Sequence, residues 1–171
     1  MATTQRDRRL ASITAAALVC AISTAAALAA TTQQFTVQAT VSETCTIAAG
    51  SGGSVLSFGT YDPNASASTA SANVLSVTCT NGGTTAQVLL NSGLNASTGA
   101  TPERQMMNAT HPLAYKLFFD AALHNEWNAT NGPSIVEDGN AHDLTVYGAI
   151  DPGQPVFVGT YSDTVTATIT F

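Results

Sequence analysis

The 171-residue sequence predicts an all-β fold, and three observations favour it. Short segments in which apolar and polar residues alternate recur along the chain. Turn-forming residues separate these segments, and helix signals are nearly absent after residue 29. Repeated short strands with such punctuation are typical of a β-sandwich. Since neither an internal repeat nor a linker interrupts the pattern, we expect a single domain.

The segment 1–29 has the anatomy of a leader. Three arginines precede an uncharged, Ala-rich apolar run over residues 10–28, which closes on Ala-Leu-Ala at positions 27–29. Signal peptidases cleave after such small-x-small patterns. The sequence therefore predicts that residues 1–29 form a signal peptide and that the rest of the chain is exported.

Two cysteines remain once the predicted leader and its Cys20 are removed. Cys45 and Cys79 form an even pair in a chain sent to an oxidising compartment, which predicts one structural disulfide. A metal site or a catalytic thiol lacks a second cysteine pair or an adjacent histidine. In the chain-entropy model, closing a loop of this length stabilises the fold by roughly 3–4 kcal/mol.

Charge excludes one class of partner. Without the leader, two basic residues, Arg104 and Lys116, stand against ten acidic ones, a net charge of −8. Two cations do not neutralise a track of phosphates. The composition therefore argues against a nucleic-acid-binding protein.

The first predicted strand follows the leader closely. Over residues 35–41 the apolar positions Phe35, Val37, Ala39 and Val41 alternate with polar ones. A period of two residues predicts a half-buried strand.

Further strands are predicted along the rest of the chain. The short apolar run 55–58 precedes a Ser/Ala-rich loop, and Asn81-Gly82-Gly83 is a hairpin-type turn. Segments 91–104 and 120–143 are expected to be a loop and a long polar connection. The predicted strands cover residues 74–79, 86–90, 113–119, 144–150 and 156–158.

The last predicted strand has an apolar stripe of its own. Val165, Ala167, Ile169 and Phe171 alternate with threonines, and the sequence stops there without a turn. One domain closes on itself if this strand pairs with the segment 35–41. Alternatively, the N-terminal strand of one molecule fills a groove in the next. Patterning alone does not choose between the two.

Several motifs along residues 32–171 resemble the spore coat protein U domain family, which includes subunits of archaic chaperone–usher pili. The most specific motifs are Tyr147-Gly148-Ala149-Ile150, then Gln154, then Gly159-Thr160-Tyr161-Ser162-Asp163. Supporting matches are Cys45-Thr46-Ile47, Phe58–Pro63, Val77-Thr78-Cys79, Arg104-Gln105-Met106 and Leu113–Asp120. Asn128 departs from the family, which often has Trp-Gly at Trp127-Asn128.

The resemblance implies an incomplete immunoglobulin-like β-sandwich that a donor strand from a neighbouring subunit completes. Residues 30–42 would be the donor segment, with Phe35, Val37, Ala39 and Val41 inserting, and residues 43–171 the pilin domain. A periplasmic chaperone would first capture the edge formed by Val165, Ala167, Ile169 and Phe171. Assembly at an outer-membrane usher would then place the subunit in a pilus on the cell surface.

The residue types that carry chemistry form no catalytic or metal-binding motif in this sequence. The three histidines, His111, His124 and His142, lie in segments predicted as loops, and no Gly-x-Ser-x-Gly elbow is present. Neither Glu126 nor Asp143 completes a metal site with them. We therefore expect no catalytic residue, cofactor or metal. Asp62 and Asp163 are expected to bond turn amides.

Three functions compete at this point. The leading hypothesis is a structural pilus subunit that polymerises by donor-strand exchange for adhesion or biofilm formation. The second is a secreted coat or matrix protein that uses the same exchange. The third is a self-contained carbohydrate-binding sandwich, in which Trp127, in a polar segment, is the aromatic residue best suited to contact a partner.

Overall fold

The computed structural model describes residues 30–65 and 68–171, so the predicted signal peptide lies outside the described residues. The chain divides after Ala39 into two units, and nine strands lie in the described residues of the larger one, Thr40–Phe171. In the described residues all regular secondary structure is β, and no helix suited to crossing a membrane occurs there. The prediction of an all-β fold is confirmed.

The strands form two sheets and a hairpin. The first sheet has the order β1-β2-β8-β6, the second has the order β7-β3-β9, and β4 pairs with β5. All these pairings are antiparallel. The bounds are β1 Cys45–Ala49, β2 Thr69–Cys79, β3 Thr85–Leu90, β4 Gln105–Asn108, β5 His111–Ala114, β6 Lys116–Phe118, β7 Ser134–Val136, β8 Ala141–Ile150 and β9 Ala167–Thr170.

The core lies between the two sheets. Side chains from the first sheet and the second sheet belong to one buried cluster, which also includes residues from the β5–β6 region. Complete burial of a Val, Leu or Ile contributes about 1.5–3 kcal/mol each, so this layer holds the sheets together. Its members from the two sheets include Val77, Val146, Ile150, Ala86, Val88 and Leu90.

The disulfide joins neighbouring strands of the first sheet. Cys45 and Cys79 are bonded through their sulfur atoms, and they stand directly opposite each other in the β1–β2 register. Cys79 is buried, with 2% of its surface exposed. The bridge therefore fixes the start of the domain to the end of the long strand β2, as the cysteine pair predicted.

The turn at Asn81-Gly82-Gly83 connects sheets instead of forming a hairpin. β2 before it lies in the first sheet, whereas β3 after it lies in the second. Gly83 has a φ of 71°, and its N–H donates to the Glu137 carbonyl at 3.2 Å. The glycine-rich turn was predicted correctly, but it carries the chain across the core.

The most apolar predicted strand, residues 113–119, is divided into β5 and β6. At the end of β5, the Gln154 side chain makes the two main-chain hydrogen bonds that a neighbouring strand would otherwise make. Its Oε1 accepts from the Ala114 N–H at 2.8 Å, and its Nε2 donates to the Ala114 carbonyl at 2.9 Å. A side-chain amide thus satisfies the main chain where the strand passes from the hairpin into the first sheet.

Other boundaries also differ from the sequence prediction. The polar connection 120–143 contains β7, and β2 begins within the Ser/Ala-rich loop, at Thr69. No strand is present at 55–58 or at 156–158, although both are apolar and extended between turns. Both of these segments border the same groove.

Candidate functional site

An open groove of about 790 Å³ runs along one side of the sandwich in the unit Thr40–Phe171. Its floor consists of core side chains, and its two banks come from residues 54–61 and 156–167. Apolar floor residues include Leu75, Leu90, Leu113, Leu117, Val146 and Ile150. The groove therefore exposes the interior of the sandwich along this side.

The first bank is an extended segment with alternating side chains. Leu56 and Phe58 are half-buried against the core, whereas Val55 and Ser57 are exposed. Gly148 of β8 makes this approach possible, since a Cβ there would stand 2.7 Å from the Phe58 ring. Leu56 would be 3.0 Å from the same position. The first bank packs like a strand without being part of a sheet.

The second bank leads into β9, an edge strand of the second sheet. Tyr161, Val165 and Ala167 are half-buried and line the groove. The carbonyls of Thr164 and Thr166 accept from the N–H groups of Leu94 and Asn91 at 3.1 and 3.0 Å. In antiparallel pairing, alternate residues direct their main-chain groups to the same edge. The intervening residues, such as Val165, therefore direct theirs towards the groove.

Both banks carry main-chain groups without partners in the described part of the chain. There, the main chains of Val55, Leu56 and Phe58 make no hydrogen bond, and neither does that of Val165. The Ser57 carbonyl accepts from the Ser71 hydroxyl at 2.6 Å. An edge of this kind is a template for pairing with another strand. The groove thus offers apolar pockets between two open edges.

One end of the groove is fixed by a polar network around Asp163. The N–H groups of Leu94 and Asn95 donate to its Oδ1 at 3.0 and 3.1 Å. The Tyr115 hydroxyl donates to its Oδ2 at 2.8 Å. Burial, followed by this hydrogen bond to a carboxylate, raises the pKa of Tyr115 far above its usual range. The expected bonding of Asp163 to turn amides is confirmed.

Buried Arg104 secures the adjacent loop. Its guanidinium donates to the carbonyls of Leu90 and Asn91, at 3.1 and 2.7 Å from Nη2. Glu126 stands 3.8 Å from its Nη1. Burial lowers the pKa of Arg104. The positive charge of Arg104 is therefore neutralised mainly by main-chain carbonyls at the end of β3. Its role is to stabilise the structure beside the groove.

The predicted donor residues are the most exposed large apolar side chains before the first strand. Phe35, Val37 and Val41 have 85%, 82% and 85% of their surfaces exposed. Ala39 is exposed as well, and residues 30–44 belong to no strand. The prediction of a half-buried strand at 35–41 is therefore wrong for the isolated chain.

The predicted edge residues lie where their alternation places them. Val165, Ala167 and Ile169 are half-buried against the core, with the intervening threonines exposed. Ala167 and Ile169 pair with Leu90 and Val88 of β3. Phe171, just beyond β9, is 58% exposed.

Trp127 is not a surface residue. Its side chain is completely buried, its Nε1 donates to the Val88 carbonyl at 2.8 Å, and Phe119 meets it edge-on. Tyr115 is buried too, with 7% exposed. The interpretation of Trp127 as the aromatic residue best suited to contact a partner is therefore wrong.

The remaining candidates for chemistry are scattered. His111 lies in β5 against the Phe157 ring, and His142 lies in β8, 2.9 Å from the Asp138 carboxylate, so neither is in a loop as predicted. Asp62 accepts from the Asn64 N–H at 2.9 Å, as expected for a turn. Within the described ranges, Cys45, Cys79 and Glu137 cluster in the manner of metal ligands, but both sulfurs are in the disulfide.

The banks of the groove were missed at the sequence level. The short alternation Val55-Leu56-Ser57-Phe58 is the signal that identifies one of them. The other is the apolar run Val156–Val158, of which Val158 is 99% exposed. The sequence predicted a strand at 156–158 and only a short apolar run at 55–58, whereas both segments border the groove without joining a sheet.

Comparison with known proteins places these features in context. The profile of the Spore Coat Protein U domain matches residues 31–168. Protein U of Myxococcus xanthus is 41% identical over 174 residues, which cover 95% of this chain and 96% of that protein.

Two solved structures share the fold. One is a chain of the CsuC–CsuE chaperone–tip adhesion subunit pre-assembly complex from archaic chaperone–usher Csu pili of Acinetobacter baumannii. Its TM-score is 0.56 at 24% identity over 77% of this chain, which spans 40% of the length of that one. The P pilus rod subunit PapA gives 0.53 at 15% identity, over 74% and 97% of the two chains. The predicted immunoglobulin-like β-sandwich is confirmed.

Proposed function

This chain belongs to the Spore Coat Protein U domain family, and on that premise we propose that it is a non-enzymatic subunit of a chaperone–usher pilus of the archaic type. Subunits would join by donor-strand exchange, in which the N-terminal segment of one molecule fills the groove of the next. The assembled pilus would serve adhesion or biofilm formation at the cell surface.

The observation that carries the proposal is the groove between two open edges. An extended peptide that enters it gains main-chain hydrogen bonds from both banks, and its alternate side chains reach the apolar floor. Leu56 and Phe58 line one side of the groove and Val165 lines the other. A groove so built suits a β-strand better than a small molecule.

The N-terminal segment, residues 30–42, has the complementary pattern. Phe35, Val37, Ala39 and Val41 recur every second residue, so they lie on one face of an extended strand, about 6.6 Å apart. Burying a large apolar side chain contributes about 1.5–3 kcal/mol, and the segment carries three. Supplied by a neighbouring copy, this strand would cover the floor and satisfy the open main chain of both banks.

The same proposal assigns the remaining parts of the chain. Residues 1–29 direct export and are removed, and residues 43–171 form the pilin domain. A periplasmic chaperone first covers the edge of Val165, Ala167, Ile169 and Phe171, and an outer-membrane usher exchanges it for the donor strand. The likeness to a chain of a chaperone–subunit complex and to a pilus rod subunit supports these partners.

The proposal is tested by placing a charged residue on the apolar face of the N-terminal segment in the otherwise native chain. Val37→Asp places a carboxylate where an apolar pocket is expected, and burying an unpaired charge is costly enough to prevent insertion. We expect the variant to accumulate with its chaperone but to form no fibres. Electron microscopy and detergent-resistant ladders on gels measure the outcome.

Thr36→Asp is the matched control for this experiment. Thr36 is the neighbour of Val37 on the opposite face of the strand, so its carboxylate stays in solvent and fibres should still form. If both variants, or neither, stop fibre formation, residues 30–42 are not the inserting strand.

A second candidate function is a coat layer built by the same exchange. The name of the family, together with the 41% identity to Protein U across nearly the whole chain, favours it. Localisation of the chain on cells distinguishes the two functions, since a pilus extends from the surface whereas a coat encloses it.

A further inference from the structure

We propose that the carboxyl groups of Glu43 and Glu137 share one proton and form a pH-sensitive anchor at the base of the N-terminal segment. Glu43 directly follows residues 30–42, and Glu137 directly follows β7. The pair belongs to the pilin domain itself, so the proposal goes beyond strand exchange and does not depend on it.

Glu137 is a buried acid without a cation. Its side chain is 0% exposed, its Oε2 accepts from the Thr84 hydroxyl, and its Oε1 has no hydrogen-bond partner. The described residues contain two Lys or Arg side chains, and both lie elsewhere. Arg104 bonds the carbonyls of Leu90 and Asn91, and Lys116 pairs with Asp151 at 3.2 Å.

Gly82 brings the two acids together. A Cβ on this glycine would stand 2.6 Å from Glu137 Oε2 and 2.9 Å from Glu43 Oε1. Both carboxyl oxygens therefore converge on the space that the absent side chain leaves free. Main-chain bonds hold Glu137 in this place, since its N–H donates to the Thr84 carbonyl at 3.0 Å and its carbonyl accepts from Gly83.

Two carboxylates this close do not both ionise readily, because like charges at a shared site disfavour the second ionisation. A proton on Glu43 turns the repulsion into a hydrogen bond to Glu137. That hydrogen bond raises the pKa of Glu43, and burial and the Glu137 charge act in the same direction. The hydrogen bonds from Glu43 and Thr84 lower the pKa of Glu137.

The other groups around the pair leave this assignment intact. The Cys45–Cys79 disulfide beside Glu137 does not titrate. Asp138 and His142 are occupied with each other at 2.9 Å, and hydrogen bonds from Asn140 and His142 lower the pKa of Asp138. Among the described residues, Glu43 is thus the titratable group that can donate a hydrogen bond to the Glu137 carboxylate.

The Glu43–Glu137 pair lies next to the hydrogen bonds that hold the start of the domain. Beside Glu43, the Thr44 carbonyl accepts from the Thr80 N–H at 2.8 Å, and the Thr44 N–H donates to the Thr80 hydroxyl at 3.0 Å. These bonds fix the first residues of the domain next to the disulfide. Loss of the shared proton sets two negative charges against each other at this junction and loosens the point where the N-terminal segment leaves the domain.

The sign of the pH effect follows from the raised pKa of Glu43. At a pH above the ordinary pKa of Glu, the unfolded chain has lost the proton of Glu43 while the folded chain still holds it. The stability of the fold therefore falls as the pH rises through the pKa of Glu43 in the folded chain. The lowered pKa of Glu137 contributes stability that disappears only at more acidic pH. Above the ordinary pKa of Glu, the difference in pH dependence between the wild type and a variant that lacks the Glu43 carboxyl is therefore assigned to Glu43.

The test compares thermal unfolding of the full chain and of Glu43→Gln from pH 5 to 8, followed by the fluorescence of its one tryptophan, buried Trp127. Gln donates a hydrogen bond to Glu137 at every pH. We therefore expect the Tm of the variant to exceed that of the wild type increasingly as pH rises, by about 2 °C or more at pH 8.

Glu103→Gln, on an exposed loop, is the matched control and should run parallel to the wild type. Glu137→Gln removes the other partner and should also reduce the slope of Tm against pH. If this variant of a buried residue fails to fold, Glu43→Gln, at an exposed position, is the deciding variant. Parallel curves for Glu43→Gln and wild type would overturn the proposal. A wild-type Tm that falls on adding EDTA would overturn it too, since the acids would then hold a cation.

Discussion

The disulfide end of the first sheet and the groove side of the sandwich differ in how far the chain completes its own structure. At the disulfide end, β1 pairs with β2 over five residues and β2 pairs with β8 over ten. A covalent bridge closes the end, and Val77 and Cys79 are buried there. On the groove side, Leu56, Phe58 and Val165 reach only half-burial, and within the described residues their main chains make no hydrogen bond. The strands of the first region are paired within the chain, whereas the groove side keeps open main chain and an uncovered apolar floor in the described unit Thr40–Phe171.

This difference has consequences for stability and for assembly. Regions with few buried apolar contacts and open main chain unfold locally at low cost, whereas paired and bridged strands open only with the whole domain. An apolar groove beside open edges also invites association with other chains. The side of the molecule that is weakest alone is therefore the side best prepared to bind a neighbour.

Removing the disulfide should give the largest effect among substitutions that probe the comparison. With both Cys45 and Cys79 changed to Ser, we expect the free energy of unfolding to fall by roughly 3–4 kcal/mol, because the unfolded chain regains the entropy of an open loop. Guanidinium unfolding followed by Trp127 fluorescence measures the change.

Val55→Ser is the matched substitution on the groove side. Val55 lies on the first bank with 71% of its surface exposed. Its loss should therefore alter the free energy of unfolding of the chain by at most about 0.5 kcal/mol, as is usual for surface substitutions. Equal costs for the two changes would remove the contrast between the regions.

A smaller effect is expected from Tyr115→Phe, which tests how firmly the end of the groove is held. The change deletes the hydrogen bond of 2.8 Å to the Asp163 carboxylate. Because the acceptor is charged, the loss should lower the free energy of unfolding by about 1.5–3 kcal/mol. Urea midpoints at constant m-value measure it.

Tyr147→Phe is the control for this substitution, because the Tyr147 hydroxyl makes no hydrogen bond within the described residues, and it should cost little. Equal midpoints for the two variants would mean that the Tyr115–Asp163 bond does not brace the groove.

Local patterns predicted the elements whose signals are local. The pair Cys45 and Cys79 predicted the disulfide, and the alternation of Val165, Ala167 and Ile169 predicted which side chains of the last strand face the core. Asp62 and Asp163 bond turn amides as expected. In each case the relevant signal lies within a few residues or follows from the compartment.

What the sequence left hidden depends on partners far along the chain. Residues 113–119 read as one strand, because nothing nearby shows that the Gln154 side chain bonds Ala114. Trp127 stands alone in a polar segment, so periodicity does not reveal that it enters the core and bonds Val88. The groove is least visible of all, since two ordinary apolar runs, 55–58 and 156–158, become its banks only because no strand lies between them in the described residues of Thr40–Phe171.

The central claim is that the groove lacks a strand that residues 32–41 can supply. It is tested most directly by appending a second copy of residues 32–41 after Phe171 through a short turn and measuring the Tm. Pairing then becomes intramolecular at high effective concentration.

We predict a monomer whose Tm exceeds that of the unmodified chain by at least about 10 °C, as expected when three large apolar side chains are buried. Val37→Asp within the appended copy should remove most of the gain, while Thr36→Asp there should keep it. If the unmodified chain is already a stable monomer and the appended strand changes neither its Tm nor its assembly, the groove does not accept this strand.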